Sequence, residues 1–280
     1  MYRKLIPFIA VLALATLACG ISAPKPPTPQ PEVTEDIKAE YPDAEEINLK
    51  LRFGAGDFTL NPGADILVDG TATYNYDELK PEVTTDGGDV EVRVGDGNLN
   101  IFPNLNNLKN VWDLKLGDQP MNLSIESGAY DGTFELGGLS LTRLDIKDGA
   151  ANVELAFSEP NPVEMSTFTY STGASDVKIT GLANANFSFF DFSSGAGDYT
   201  LDFSGDLQRD ASVKIETGLS NFIIIVPEGV DAVVTVQGGL SNVNAGPGWE
   251  RSGSDYIQKG EGPTITFVIE MGAGNLTLAR

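Results

Sequence analysis

The chain has 280 residues, no histidine, a single cysteine and a formal charge of −22. Without histidine there is no Ser-His-Asp or Cys-His centre, and the usual nitrogen and sulfur ligands for metals are missing. So acidic a surface repels nucleic acid, whose binding proteins neutralise phosphates with Lys and Arg, and no nucleic-acid partner is expected.

Residues 1–19 read as an export signal and stand outside the fold. Arg3 and Lys4 precede an apolar run from Leu5 to Leu17, shorter than the ~20 residues that span a bilayer. The run closes on Leu17-Ala18-Cys19-Gly20, with a small residue directly before the only cysteine. This resembles the lipobox of bacterial lipoproteins, which implies lipidation at Cys19 and attachment to a membrane on its extracytoplasmic side. An ordinary secretory signal with a chance cysteine is the alternative. Residues 20–43 form a linker: Pro24, Pro26, Pro27, Pro29 and Pro31 favour an extended stalk of ~3.1 Å per residue.

From residue 44 the chain repeats. A glycine recurs at Gly54, Gly95, Gly128, Gly149, Gly173, Gly195, Gly218, Gly239 and Gly272. Three residues after each comes Asp57, Asn98, Asp131, Asn152, Asp176, Asp198, Asn221, Asn242 or Asn275. Between Gly128 and Gly239 the steps are 21, 24, 22, 23 and 21 residues. A fixed period of that size marks a stacked repeat architecture. Residues 126–280 are its regular part, and 44–125 form a less regular end region. There Gly54 and Gly95 stand 41 residues apart, and Thr71 to Tyr74 alternate without a turn signature.

Within a unit, apolar residues fall five and three places before the glycine and four and six places after it, as in Val213, Ile215, Phe222 and Ile224. Period two on both sides predicts two strand arms, each burying one face. The glycine is expected to supply a positive φ at the turn, and the Asp or Asn to bond nearby backbone. Arms joined as antiparallel hairpins are one arrangement. In-register stacking of like on like favours the other, a single-chain, all-β parallel β-solenoid with rungs of ~22 residues. Its nine or ten rungs, laid one above the last, would make a rod ~45 Å long at ~4.8 Å per rung.

The ladder of Gly-Ala-Gly-Asp/Asn units, Trp112-Asp113-Leu114, and the late Gly248-Trp249-Glu250 and Gly272-Ala273-Gly274-Asn275 segments resemble the toast-rack β-solenoid, a group also labelled adhesin-like. Over roughly 45–280 the chain is similar to the extracytoplasmic domain of membrane regulators that answer envelope stress. The resemblance implies a fold; it carries no catalytic residues with it.

Two candidate sites follow. The Asp/Asn column could offer oxygen to Ca²⁺ at Asp57, Asp131, Asp176 and Asp198. Ca²⁺ takes six to eight oxygens, however, and five Asn among nine positions suit a structural amide ladder better. Trp249 and Tyr256, in a loop rich in glycine, could touch a protein or sugar or could lid the core. Phe187, Phe189, Phe190 and Phe192 read as core. No cofactor is expected beyond that Ca²⁺ candidate. The function expected is a non-enzymatic surface module, adhesin-like and anchored through Cys19, whose partner is an envelope protein or a surface glycan. An accessory of an envelope-stress regulator and a carbohydrate-active enzyme built on two carboxylates are the alternatives.

Overall fold

The computed structural model describes residues 28–95 and 107–280. Most repeat units fold as one strand of 15 or 16 residues that bends at its glycine: β2 (Asn48–Pro62), β7 (Met121–Glu135), β10 (Met165–Thr180), β11 (Phe187–Asp202), β12 (Ala211–Ile225), β13 (Asp231–Ala245) and β16 (Thr264–Ala279). In one unit the bend interrupts the strand, giving β8 (Leu141–Asp148) and β9 (Ala150–Ala156). Shorter strands complete the ends: β1 (Val33–Ala39), β3 (Val68–Tyr74), β4 (Pro81–Asp86), β5 (Asp89–Val94), β6 (Asn110–Leu116), β14 (Glu250–Ser252) and β15 (Asp255–Gln258). Among the described residues helical structure is confined to short 3-10 turns, such as Asp77–Leu79 and Leu182–Ala185.

The bend works by a slip of parity. In β12 the buried residues are Ala211, Val213, Ile215 and Thr217, then Ser220, Phe222 and Ile224, with Gly218 and Leu219 exposed in succession. Odd positions face inward before the bend and even positions after it, so both arms turn their apolar faces to one interior. Aromatic rings meet there across the arms: Phe192 and Tyr199 lie 5.1 Å apart, and Phe203 and Phe267 5.0 Å apart. Inward of the end layer β13, the residues that the spacing marks as apolar-facing are buried, including Phe168, Tyr170, Phe190, Phe192, Val213 and Ile215; in β13 itself Val236, Val243 and Ala245 are only partly so. Phe187 joins them, but Phe189 is 37% exposed, because it stands on the outer side of the same alternation.

Neighbouring units pair parallel and in register. Phe168, Phe190, Val213, Phe267 and Val234 form one column through β10, β11, β12, β16 and β13. Phe168 stacks on Phe190 at 4.4 Å and Tyr170 on Phe192 at 5.4 Å; such pairs add ~0.5–1.5 kcal/mol each to what burial supplies.

The order of the layers departs from the order of the chain. Strand β16 lies between β12 and β13, and β2 lies between β7 and the pair β5 and β6, which cover its two arms. The first and last full units are therefore second from the ends, where stacking in chain order would have left them outermost. The N-terminal end is closed by antiparallel strands, with β4 on β5, β3 on β6 and β1 on β3. This corrects the expectation for residues 33–39: they are strand β1, not stalk, and Ile37 and Ala39 are buried in the core.

Candidate functional site

The bends lie over one another and build a continuous seam. Asp57, Asp131, Asn152, Asp176, Asp198, Asn221, Asn275 and Asn242 are register partners in succession. The glycines form a second column, for a reason other than the one the sequence suggests. Of the described seam glycines only Gly54 has a positive φ, at 91°. Most of the others are required by closeness: a Cβ on Gly128, Gly149, Gly195, Gly218 or Gly272 would come within 2.5–2.9 Å of the carbonyl oxygen of the glycine one layer below, whereas on Gly239, in the end layer, it would meet the Gly272 oxygen at 3.7 Å. Gly95 stands apart, against the carbonyl of Lys80, and Asn98 and Cys19 lie outside the described residues.

On the solvent side, the Asn221 amide donates to Asp198 at 2.8 Å and the Asn275 amide to Asn221 at 2.9 Å. That is an amide ladder at one end of the column. Toward the other end Asp57 pairs with Asp131 and, beyond Asn152, Asp176 with Asp198. All four aspartates are exposed. Among the described residues no three His, Cys, Asp or Glu converge on a metal position, so the column presents its acids singly or in twos.

Just before the glycines runs an open groove of about 1030 Å³, crossing six layers from Lys147 and Asp148 to Gln237. Hydroxyls floor it: Ser193 donates to Ser171 at 2.9 Å, Ser194 to Thr217 at 2.8 Å, and Thr172 pairs with Ser175 at 2.5 Å. Glu216 and Glu270, register neighbours, put two carboxylates at one end. At the other end Asp148 takes the place that Thr172, Ser194 and Thr217 hold in the following layers. Tyr130 and Tyr170 donate their phenol protons to its two oxygens at 2.7 and 2.5 Å. Burial raises the Asp148 carboxyl above its usual range, opposed by those two hydrogen bonds. Burial likewise pushes both phenols well up, with the Asp148 charge adding to the effect, so each keeps its proton. The sequence reading missed this cluster; its signal is a charge at Asp148 where later units carry a hydroxyl.

A second groove of about 660 Å³ lies on the outer face of the N-terminal arms, lined by Glu46, Asp86, Asp89, Glu91 and Asp145 with Lys50 and Arg143. Trp249 and Tyr256, by contrast, offer no surface to a partner. Each is 9% exposed and belongs to the core cluster, and Trp249 Nε1 donates to the Ala279 carbonyl at 3.4 Å. The hairpin β14–β15 folds them over the open interior above β13 as a lid.

Bent, register-stacked strands with glycine at the crease define an all-β protein of the toast-rack type. The chain belongs to that family: the model of the N-terminal domain of toast_rack matches residues 28–180, more than half of the sequence. Among solved structures it is similar to a "putative cell adhesion protein" from Clostridium sporogenes, 21% identical with a TM-score of 0.50 over 89% of this chain and 99% of that one. A "putative adhesin" from Bacteroides fragilis is 15% identical with a TM-score of 0.47, over 88% of this chain and 96% of that one. At such identity the first likeness speaks to the fold alone. No curated protein matches the chain.

Proposed function

We propose that this protein is a lipid-anchored module of the bacterial cell envelope, held outside the cytoplasmic membrane, that acts by contact and not by catalysis. The fold is a β-solenoid whose repeating unit serves to extend a surface. The observation that carries the reading is the groove along the bends, where hydroxyls or carboxylates recur from Asp148 to Glu270, with Gln237 in the last layer, on an open, solvent-facing track. Such a track suits an extended ligand, an envelope protein segment or a glycan, because contacts repeat every ~4.8 Å along it. Adhesion in the name of the Clostridium sporogenes structure agrees with this use. Attachment rests on Cys19 and its flanking residues. Among the described residues no helix is long and apolar enough to cross a membrane.

The test uses the full chain in a bacterial host fed labelled palmitate, beside Cys19→Ser and Glu216→Gln/Glu270→Gln. The native chain should take up label and, after cross-linking, retain an envelope component that the groove variant loses. Absence of label from the native chain would remove the anchor, and equal capture by the groove variant would remove the track.

A further inference from the structure

The two ends of the stack are finished differently. At the N-terminal end the outermost described strands are β1 and β4, and they carry the residues that keep edges from pairing: Glu35, Asp36 and Lys38 in β1, and Pro81, Glu82 and Asp86 in β4. At the C-terminal end β13 is the last full layer. Its inner edge pairs with β16 over Asp231–Ala245, whereas on its outer edge β15 covers only Ala232 to Thr235. From Val236 to Ala245 no strand among the described residues lies beyond it.

That open edge reads Val-Gln-Gly-Gly-Leu-Ser-Asn-Val-Asn-Ala, without a charge or a proline. In a chain of charge −22, ten such residues on an exposed edge lack the usual guard against pairing. The layer is also incompletely buried. Val236 is the register partner of Ile269, itself paired with Ile215, and Val243 the partner of Leu276, paired with Phe222. Those four partners are at most 1% exposed, whereas Val236 and Val243 are partly open to solvent.

We infer that the outer edge of β13, over Val236–Ala245, pairs with the same edge of a second copy of this chain. Charge selects that occupant. Two molecules of −22 repel over most of their surfaces, and this edge is a neutral meeting place on both at once. A strand edge meets its own copy antiparallel about a two-fold axis, which is a closed interface. Since the opposite end is capped, assembly stops at two and does not run on into a filament. The β14–β15 hairpin, standing over the first arm, confines pairing to the second.

The experiment is sedimentation velocity on the full chain carrying Cys19→Ser, so that a shared micelle cannot imitate a dimer. The expected result is twice the monomer mass, with the dimer favoured by added salt because salt screens the acidic repulsion. Asn242→Lys/Asn244→Lys, at two exposed positions, should halve that mass with an unchanged circular dichroism spectrum. Val83→Lys on the capped end should leave the dimer intact. Hydrogen exchange on the chain without the lysines supplies a readout independent of whether the lysine variant folds: amides of Val236–Ala245 should gain protection with concentration while those of β4 do not. A monomer at every concentration, an assembly larger than two, a lysine variant that stays dimeric, or concentration-independent exchange in β13 would each overturn the inference.

Discussion

Replacing Gly195 by Ala tests what the seam of glycines is for. Its new Cβ would stand 2.6 Å from the Gly173 carbonyl oxygen, about 0.8 Å inside ordinary contact at 3.4 Å. Gly195 has no positive φ, so the cost is one of space and not of backbone conformation. The obstructing atom is backbone, held by the pairing of the adjacent Thr172 to the layers on both sides and by the Gly173 amide's bond to the Gly149 carbonyl, and cannot swing away as a side chain would. Opening the layers by that much stretches one or two ladder hydrogen bonds past their useful range, at ~1 kcal/mol each. Overpacking adds ~1–3 kcal/mol, for a total of ~2–5 kcal/mol, which lowers the melting temperature by roughly 10 °C in a domain of this size. Gly239→Ala is the matched control, since the same atom added there meets the Gly272 oxygen at 3.7 Å. It should be neutral, or stabilising by ~0.4–1 kcal/mol through the unfolded chain. Urea titrations followed by circular dichroism compare the two. If Gly239→Ala costs as much as Gly195→Ala, close approach is not the reason for the seam.

The other predictions concern the ladder, the buried carboxyl and the lid. Asn221→Asp replaces the donor to Asp198 with a like charge and should cost ~1 kcal/mol at low salt, shrinking as salt is added; equal urea midpoints at low salt would deny the ladder a stabilising role. The Asp148 carboxyl is raised by burial, so the folded state binds its proton more tightly than the unfolded chain does. Its contribution to stability is therefore fully present below the unfolded value and is lost as pH climbs through the folded one. Subtracting the stability curve of Asp148→Asn from that of the native chain should isolate a downward slope in that window, and a flat or rising difference would contradict the burial argument. Trp249→Ala empties the lid and should cost ~3 kcal/mol. Hydrogen exchange should then rise first in β13 and β16, whereas uniform acceleration across all layers would show that Trp249 does not act locally.

The period, the buried faces and the coincidence of the corners are legible in the sequence because each layer repeats one steric problem. Phe190 and Phe192 before a bend and Tyr199 and Leu201 after it fix the inward face on both arms, and burial agrees at all four. Glycine at the crease is legible as a requirement but not as to cause. A positive φ and a carbonyl oxygen one layer away both forbid a Cβ, and only the stacking distance separates them. Phe189 misleads because aromatic character outweighs its place in the alternation, which sets it outside. Asp148 is hidden for another reason: Tyr130 and Tyr170, which explain it, are 18 and 22 residues away and meet it only across layers.

The exchange of layers at the two ends follows from how much each layer must bury. A layer with neighbours on both sides can seal large side chains completely, and β16 supplies Phe267, Ile269, Met271, Leu276 and Leu278, each at most 1% exposed. An end layer cannot, and β13 brings Val236, Val243 and Ala245, which remain partly open. Stacked in chain order, the larger set would face solvent and the smaller would sit inside, leaving apolar area exposed at one level and underfilled space at another, both unfavourable. Setting β16 between β12 and β13 resolves both at once, at the cost of a longer loop between partners: Asn221 and Asn275 are 54 residues apart. Loop closure grows only as the logarithm of length, so more than doubling a ~22-residue step costs under ~1 kcal/mol, less than burying one further leucine returns. The same trade sets β2 inside β5 and β6, with Phe53 and Phe58 fully enclosed. The last repeat of this chain is thus held on both sides by its own neighbours, and the surface left over for another molecule is the smaller, neutral layer beside it.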